Sequence, residues 1–266
     1  MTTIQSIIIA IIEGLTEFLP ISSTAHMKFA HPLLGITPSP FVDMFEVVIQ
    51  LAAILAVVVL YWKKFFDFKK FGFYIKLIIA VVPALIFGFL LKKHIDAALG
   101  NLVFIACVMV AGGVVLLFID KVFKNPVVES EEKITNKTAF IIGCGQVLSI
   151  IFPGLSRSAA TIITGMSQKL TRSAAAEFSF FLAVPTMMAA SAKSFLDTYL
   201  DHPEVLDKSN ILTLLLGSAV AFIVSILAIK FFIDFLKKYG FRIWGMYRIV
   251  AGLIMLILIW QGIIRH

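Results

Sequence analysis

Charged side chains are scarce in this sequence. Only 15% of its 266 residues are Asp, Glu, Lys or Arg, and 60% are hydrophobic, whereas about a quarter of a soluble domain is charged. That shortage excludes an ordinary soluble globule, as does the mean hydropathy of +0.99. Acidic residues are scarcer than basic ones, 16 against 23, for a net charge of +7. A basic patch interleaved with aromatics is nevertheless missing, so no nucleic-acid partner is expected. The positive charges fall instead in short clusters between apolar segments, where they set membrane orientation. Cysteine is nearly absent. Cys107 and Cys144 lie in separate apolar stretches without metal-ligand spacing and are expected to be small buried hydrophobes. Also missing is the basic leader of a signal peptide, and Glu13 and Glu17 interrupt the first apolar run where a cleavable signal would stay oily.

What is present is a series of long apolar runs. "FVDMFEVVIQLAAILAVVVLYW" (41–62) is long enough to cross ~30 Å of hydrocarbon as a helix. Six such spans are predicted near 42–62, 73–91, 101–119, 175–195, 211–232 and 243–264. Two further apolar regions, 3–34 and 137–168, are broken near their middles by "LPISST" and "FPGLSRS". Proline and glycine stop a helix there, and the serines that follow are good N-caps for a new one. Non-helical backbone at membrane depth is tolerated only inside protein or along a wet cavity, so both regions read as re-entrant helical hairpins.

The broken regions resemble each other. A shift of 133 lays Pro20 on Pro153, Ser23 on Ser156, Leu15 on Leu148 and Glu13 on Gln146. A shift of 131 lays Glu46 on Glu177, and a shift of 140 lays "VAG" at 110–112 on "VAG" at 250–252. The expected fold is an all-α polytopic membrane protein, one membrane domain over 1–266. Its two repeats, approximately 1–133 and 134–266, would each be a hairpin plus three spans. An odd number of spans inverts the second copy, the arrangement that places a site where broken helices meet near mid-membrane. Loops 61–72, 120–137 and 232–242 would share one side, with Lys63, Lys64, Lys69, Lys70, Lys121, Lys124, Lys133, Lys137, Lys237, Lys238 and Arg242. The positive-inside rule makes that side cytoplasmic.

The chemistry-bearing residues cluster in the hairpins. Glu13 and Glu17, four apart, project from one helix face, and two carboxylates in hydrocarbon mark a functional site, as metal ligands or as bases. Ser22, Ser23 and Thr24 occupy the first turn of the next helix, where free amides and the helix dipole favour an anion. Ser22 reads as the cap and Ser23 as a nucleophile or a phosphate-positioning hydroxyl, with His26 three residues on as its proton partner. In "PGLSRSAAT" (153–161), Ser156 reads as a cap and Arg157 offers a planar fork for phosphate, with Thr161 one turn on. Facing repeats would bring two helix N-termini and one guanidinium to a single pocket suited to a phosphate or diphosphate.

The stretches "EGLTEFLPISSTAH" (13–26) and "PGLSRSAAT" (153–161) resemble the two signature motifs of the bacterial undecaprenyl-diphosphate phosphatase, or bacitracin-resistance protein, family. Chain length and span count fit that family from end to end. The resemblance implies a hydrolase of the cell membrane that removes the terminal phosphate of the C55 lipid carrier diphosphate, recycling the carrier for peptidoglycan synthesis. It also implies a divalent cation, Mg²⁺ or Ca²⁺. Carried over, the catalytic positions are Glu13, Glu17, Ser23, His26 and Arg157, and Glu17 with Glu13 would bind the metal or activate water. Ser22, Thr24, Ser156, Ser158 and Thr161 fall in the substrate pocket. Ala25 and Ala159 stand where some members have glycine, a small departure.

Other features are expected to support the site. Glu46, Glu177 and Arg248 would brace the hairpins, "VAG" and "GSA" (217–219) would pack helices closely, and the phenylalanines would face lipid. His31, His94, His202 and His266 read as loop or interface residues. A transporter, a lipid-phosphate flippase using the same anion pocket, is the rival function. Oligomeric state stays open, a homodimer included.

Overall fold

The computed structural model describes residues 1–67 and 71–264. Lys69, Lys70 and His266 lie outside the described residues, as does the side chain of Lys237. The chain folds into helices in the order α1 (Thr3–Thr16), α2 (Ser23–Leu33), α3 (Pro40–Leu60), α4 (Trp62–Phe65), α5 (Phe71–Leu90) and α6 (Lys92–Leu99). Then follow α7 (Leu102–Val122), α8 (Asn136–Ile151), α9 (Arg157–Ser167), α10 (Arg172–Asp201), α11 (Lys208–Tyr239) and α12 (Arg242–Trp260). Side-chain oxygens set most starts: Thr2, Ser39, Asn101, Thr135, Thr171 and Asp207 each accept an amide hydrogen from the first turn they precede.

Six helices, α3, α5, α7, α10, α11 and α12, are long and apolar enough to cross a membrane. Each run of three follows a hairpin of shorter helices, α1–α2 in the first half and α8–α9 in the second. Helix packing repeats the pattern with the halves exchanged: α1 lies on α11 as α8 lies on α5, and α3 packs on α11 as α10 packs on α5. The exchange axis runs through the α3–α10 and α7–α12 contacts. This is the expected inverted repeat of six spans and two re-entrant hairpins.

Glycines permit the tightest of these approaches. A Cβ on Gly14 would stand 2.8 Å from the Ala221 carbonyl oxygen on α11, and one on Gly143 would run into the Ala80 backbone on α5. The "VAG" and "GSA" segments pack closely as expected. Gly252 faces Val110 and the Ala106 carbonyl across the α7–α12 seam, and Gly217 sits under the Phe45 ring.

Loops of both halves gather at one end. Lys64 pairs with Glu131, Arg172 Nε donates to Asp120 at 2.7 Å, and the Phe241 amide donates to the same carboxylate at 2.8 Å. The first hairpin opens at the other end, where Gln5 Nε2 donates to the Leu34 carbonyl at 2.9 Å. From there the 14 residues of α1 descend about 21 Å, and from the opposite end the 16 residues of α8 descend about 24 Å, at ~1.5 Å per residue. Together they match the ~40–45 Å of a whole bilayer, so the tips meet near its middle.

Three expectations are corrected. Phe18, Phe45, Phe178, Phe180, Phe181 and Phe232 are fully buried rather than lipid-facing, because rings such as Phe18 and Phe180 (centroids 5.1 Å apart, 88° between planes) fill the space between hairpin and spans. Cys107 and Cys144 are exposed on the outer surface of their helices, where an apolar solvent makes burial unnecessary. His31 is buried in α2 beside Glu46 (Nε2 to Oε1, 3.2 Å), drawn there by the Lys28–Glu46 ion pair.

Because Gly143 meets backbone that cannot swing away, Gly143→Ala should destabilise the protein by about 1–3 kcal/mol. Gly72→Ala on α5, with open space around it, should be neutral or slightly stabilising. Thermal unfolding in detergent measures both, and equal midpoints would contradict the packing described.

Candidate active site

Two caps build the site. Ser22 and Ser156 precede α2 and α9 with the same geometry: each hydroxyl accepts from the amide three residues on, Ala25 at 3.3 Å and Ala159 at 3.2 Å. Both backbones sit at positive φ, 72° and 75°, a conformation that costs about 1–3 kcal/mol for a non-glycine residue and tends to mark functional sites. Structure thus pairs Ser22, not Ser23, with Ser156. From proline to cap the second tip is one residue longer, Pro153 to Ser156 against Pro20 to Ser22, and it contains Gly154, φ 99°, where a Cβ would stand 2.5 Å from the Ile105 carbonyl oxygen. The slip matters, because it makes Ser23 and Arg157 equivalent: each is the first residue of its half-helix.

Arg248 locks the two tips together from α12. Fully buried, its guanidinium donates to the carbonyls of Pro20 (3.0 Å), Gly154 (2.8 Å), Leu155 (2.6 Å) and Met109 (3.1 Å). Gly112 leaves the room it occupies. Ser158 adds a direct tie, its hydroxyl donating to the Leu19 carbonyl across the tips at 3.0 Å. The bracing expected of Arg248 is therefore present. Glu46 on α3 likewise braces the first hairpin, pairing with Lys28 of α2 at 2.9 Å, whereas Glu177 lies 3.7 Å from Lys64 of α4.

At the junction stands the Glu17 carboxylate. Ser23 Oγ donates to Oε2 at 2.5 Å and Arg157 Nη2 donates to Oε1 at 2.7 Å. Arg157 Nη1 donates to the Ser179 carbonyl at 3.0 Å, leaving its buried Nε without a partner. Glu13 is completely buried, and neither of its oxygens has a hydrogen-bond partner. One unspent carboxylate and one unspent guanidinium N–H in a single buried cluster, with charge interactions linking Glu13 to Glu17 and Arg157, describe a site that expects a ligand.

The remaining residues divide. His26 is not hydrogen-bonded to Ser23, contrary to the expected pairing. Its Nδ1 donates to the Ser22 carbonyl at 2.7 Å and its Nε2 meets the Tyr247 hydroxyl at 2.8 Å. The Ser22 carbonyl, which also accepts the His26 amide at 3.2 Å, takes the imidazole N–H, while the Ser23 hydroxyl is held by Glu17. Thr161, buried, bonds Ser179 Oγ at 2.6 Å and its own helix backbone, so it ties α9 to α10 rather than facing an open pocket. Ser156 holds the cap and bonds Ser158 Oγ at 2.9 Å. Thr24 is half-buried on the first turn of α2.

A divalent cation fits this donor set in a limited way. Glu13 and Glu17 offer hard oxygen donors, but no group of three or more Asp, Glu, His or Cys placed to hold a metal ion occurs among the described residues. The protein would supply two carboxylates, and phosphate oxygens and waters the rest, as is usual for Mg²⁺.

From His26 an apolar groove of about 310 Å³ runs between α2 and α12, lined by Phe29, Tyr247, Ala251, Met255 and Leu258. Tyr247 and Ser179 are the site residues that sequence reasoning missed. Neither carries a local signal beyond the adjacency of Tyr247 to Arg248, since each acts across more than a hundred residues or through a backbone carbonyl.

Comparisons with known proteins agree with the motifs. A family model described as "Bacitracin resistance protein BacA" matches residues 6–254. A protein named Undecaprenyl-diphosphatase from Flavobacterium johnsoniae is 50% identical over 264 residues, spanning 97% of this chain and 96% of its own length. Identically named proteins from Porphyromonas gingivalis (46% over 279 residues, 99% of each chain) and Bdellovibrio bacteriovorus (44% over 264 residues, 98% of each) are similar throughout.

Removing the clamp leaves several buried carbonyls without donors, at about 1–3 kcal/mol each. Arg248→Met should therefore lower unfolding stability by roughly 3 kcal/mol or more, and Arg248→Lys should recover only part, since an ammonium cannot reproduce the fork. Denaturant titration in micelles decides. A lysine variant as stable as the parent would show that the fork geometry is dispensable.

Proposed function

Because the chain belongs to the bacitracin resistance protein BacA family, we propose that it is an undecaprenyl-diphosphate phosphatase, hydrolysing the lipid-carrier diphosphate to the monophosphate and inorganic phosphate. The observation that carries this reading is the shared carboxylate: Ser23 at 2.5 Å and Arg157 at 2.7 Å on the two oxygens of Glu17, beneath two capped helix N-termini.

The geometry supports the following roles. Ser23 already donates its proton to Glu17, so Glu17 is the base and the Ser23 oxygen the nucleophile. That oxygen attacks the terminal phosphorus, its proton passes to Glu17, and the bridging P–O bond breaks to release the prenyl monophosphate. Glu17 passes that proton to the departing prenyl monophosphate, then takes one from the water that attacks the phosphoseryl group and returns it to the Ser23 oxygen as inorganic phosphate leaves. Arg157, with its unspent Nε–H, clamps the transferring phosphoryl, and the amides of the first turns of α2 and α9 face the same charge. Glu13 and Glu17 would hold a divalent cation, which when bound neutralises phosphate charge. The prenyl tail leaves along the groove between α2 and α12, whose 310 Å³ is at the low end of the ~300–1,000 Å³ of ligand clefts. It therefore seats the head-proximal units, the rest lying in lipid.

In this reading residues 1–266 form one membrane domain of two units, about 1–133 and 134–266. It sits in the bacterial plasma membrane with the lysine-rich loops cytoplasmic, so the first hairpin and its groove open to the outer face.

Purified protein in detergent, where no gradient exists, should release inorganic phosphate from undecaprenyl diphosphate. Ser23→Ala and Arg157→Ala should each lower kcat by roughly 10³-fold or more while remaining folded. Chelation should abolish turnover and Mg²⁺ or Ca²⁺ restore it. No release in detergent, with lipid phosphate crossing liposome membranes instead, would favour a flippase. Activity indifferent to chelators would remove the cation from the account.

A further inference from the structure

His26 is held at both ring nitrogens. A carbonyl can only accept, so Nδ1, 2.7 Å from the Ser22 oxygen, carries the proton in the neutral ring. Nε2 then presents a lone pair, and the Tyr247 hydroxyl donates to it at 2.8 Å. The two rings lie parallel, 9° apart with centroids 5.7 Å apart, so the phenol is stacked beside the imidazole as well as bonded to it. Tyr247 precedes Arg248 on α12, and the same turn of helix that clamps both hairpin tips therefore delivers the phenol. The opposite tautomer would aim the Nδ1 lone pair at the Ser22 carbonyl, acceptor against acceptor. Ser22 is the residue least able to absorb that change, because it sits in the left-handed region at φ 72° and caps the turn that begins with Ser23.

We infer that Tyr247 is a positioning residue for the phosphate chemistry. Its hydroxyl, by donating to Nε2, reinforces the His26 tautomer that the Ser22 carbonyl selects, whose Nδ1–H holds that carbonyl and so holds Ser23 against Glu17. The consequence for rate rests on the phosphatase reading, and the tautomer does not. Tyr247 also walls the groove with its ring, so Tyr247→Phe removes the donor while keeping stacking and wall, whereas Tyr247→Leu removes all three.

The test uses full-length protein in detergent, labelled with ¹⁵N-histidine; the five histidines are resolved by comparison with His26→Gln. Wild-type protein should show His26 with Nδ1 protonated and Nε2 bare. In Tyr247→Phe the two ¹⁵N resonances should move toward tautomer-averaged positions. Its kcat on undecaprenyl diphosphate should fall about ten-fold, the loss expected for one neutral hydrogen bond, with KM unchanged. Tyr247→Leu should lower kcat at least as far and raise KM. A Phe variant with unaltered tautomer overturns the inference whatever its rate, and so does an altered tautomer with wild-type kcat. Wild-type protein that releases no phosphate overturns the phosphatase reading instead, and with it the consequence for rate.

Discussion

A single carboxylate, Glu17, joins two helix ends, accepting from Ser23 nearby and from Arg157, 140 residues away along the chain. An ion pair this deep is costly to assemble, since desolvating each partner costs several kcal/mol, and breaking one side leaves an uncompensated charge at about 3–5 kcal/mol. It persists because the surroundings leave no alternative. Four carbonyls point at Arg248, a serine on each side caps its own half-helix, and glycines let α1 and α8 press against their neighbours. Stability and reactivity meet at the same atoms. On the phosphatase reading, the residues that hold Glu17 are also the ones a phosphate would engage.

Duplication built the scaffold and divergence built the site. Both tips keep the cap, the left-handed serine and the break, but the residues that follow differ: Ser23 in one, Arg157 in the other. One copy supplies a hydroxyl and the carboxylates, the other a cation. Opposite Glu13 the second copy has Gln146, whose amide is engaged with Thr186 at 3.3 Å. A symmetric pair would have placed two carboxylate clusters or two guanidiniums together, and neither arrangement serves phosphoryl transfer. Inversion also explains why the hairpins enter from opposite faces yet meet at mid-depth, each about half a bilayer long.

Much of this was legible in the amino-acid order because the signals are local. A proline followed within three residues by a capping serine breaks the apolar run at both tips, and charges within apolar helices are so costly that Glu13, Glu17 and Arg157 stand out. What was not legible depends on distance. Spacing of three suggested that His26 serves Ser23, but spacing cannot show that a carboxylate six residues upstream had already taken the hydroxyl, nor that a tyrosine 221 residues away would take the imidazole. The one-residue slip between the breaks hid the equivalence of Ser23 and Arg157, since matching the prolines misaligns the caps. Phenylalanine burial was equally invisible, because in lipid an apolar residue has no preferred side and packing alone decides.

The claim on which the rest stands is that Glu17 and Arg157 are in contact across the two hairpins. A double-mutant cycle on unfolding stability, with Glu17→Gln, Arg157→Gln and the pair, measures that contact without reference to activity. The account predicts a coupling of about 1–3 kcal/mol, the double variant losing clearly less than the sum of the single ones. Strict additivity, as for residues more than about 10 Å apart, would contradict it.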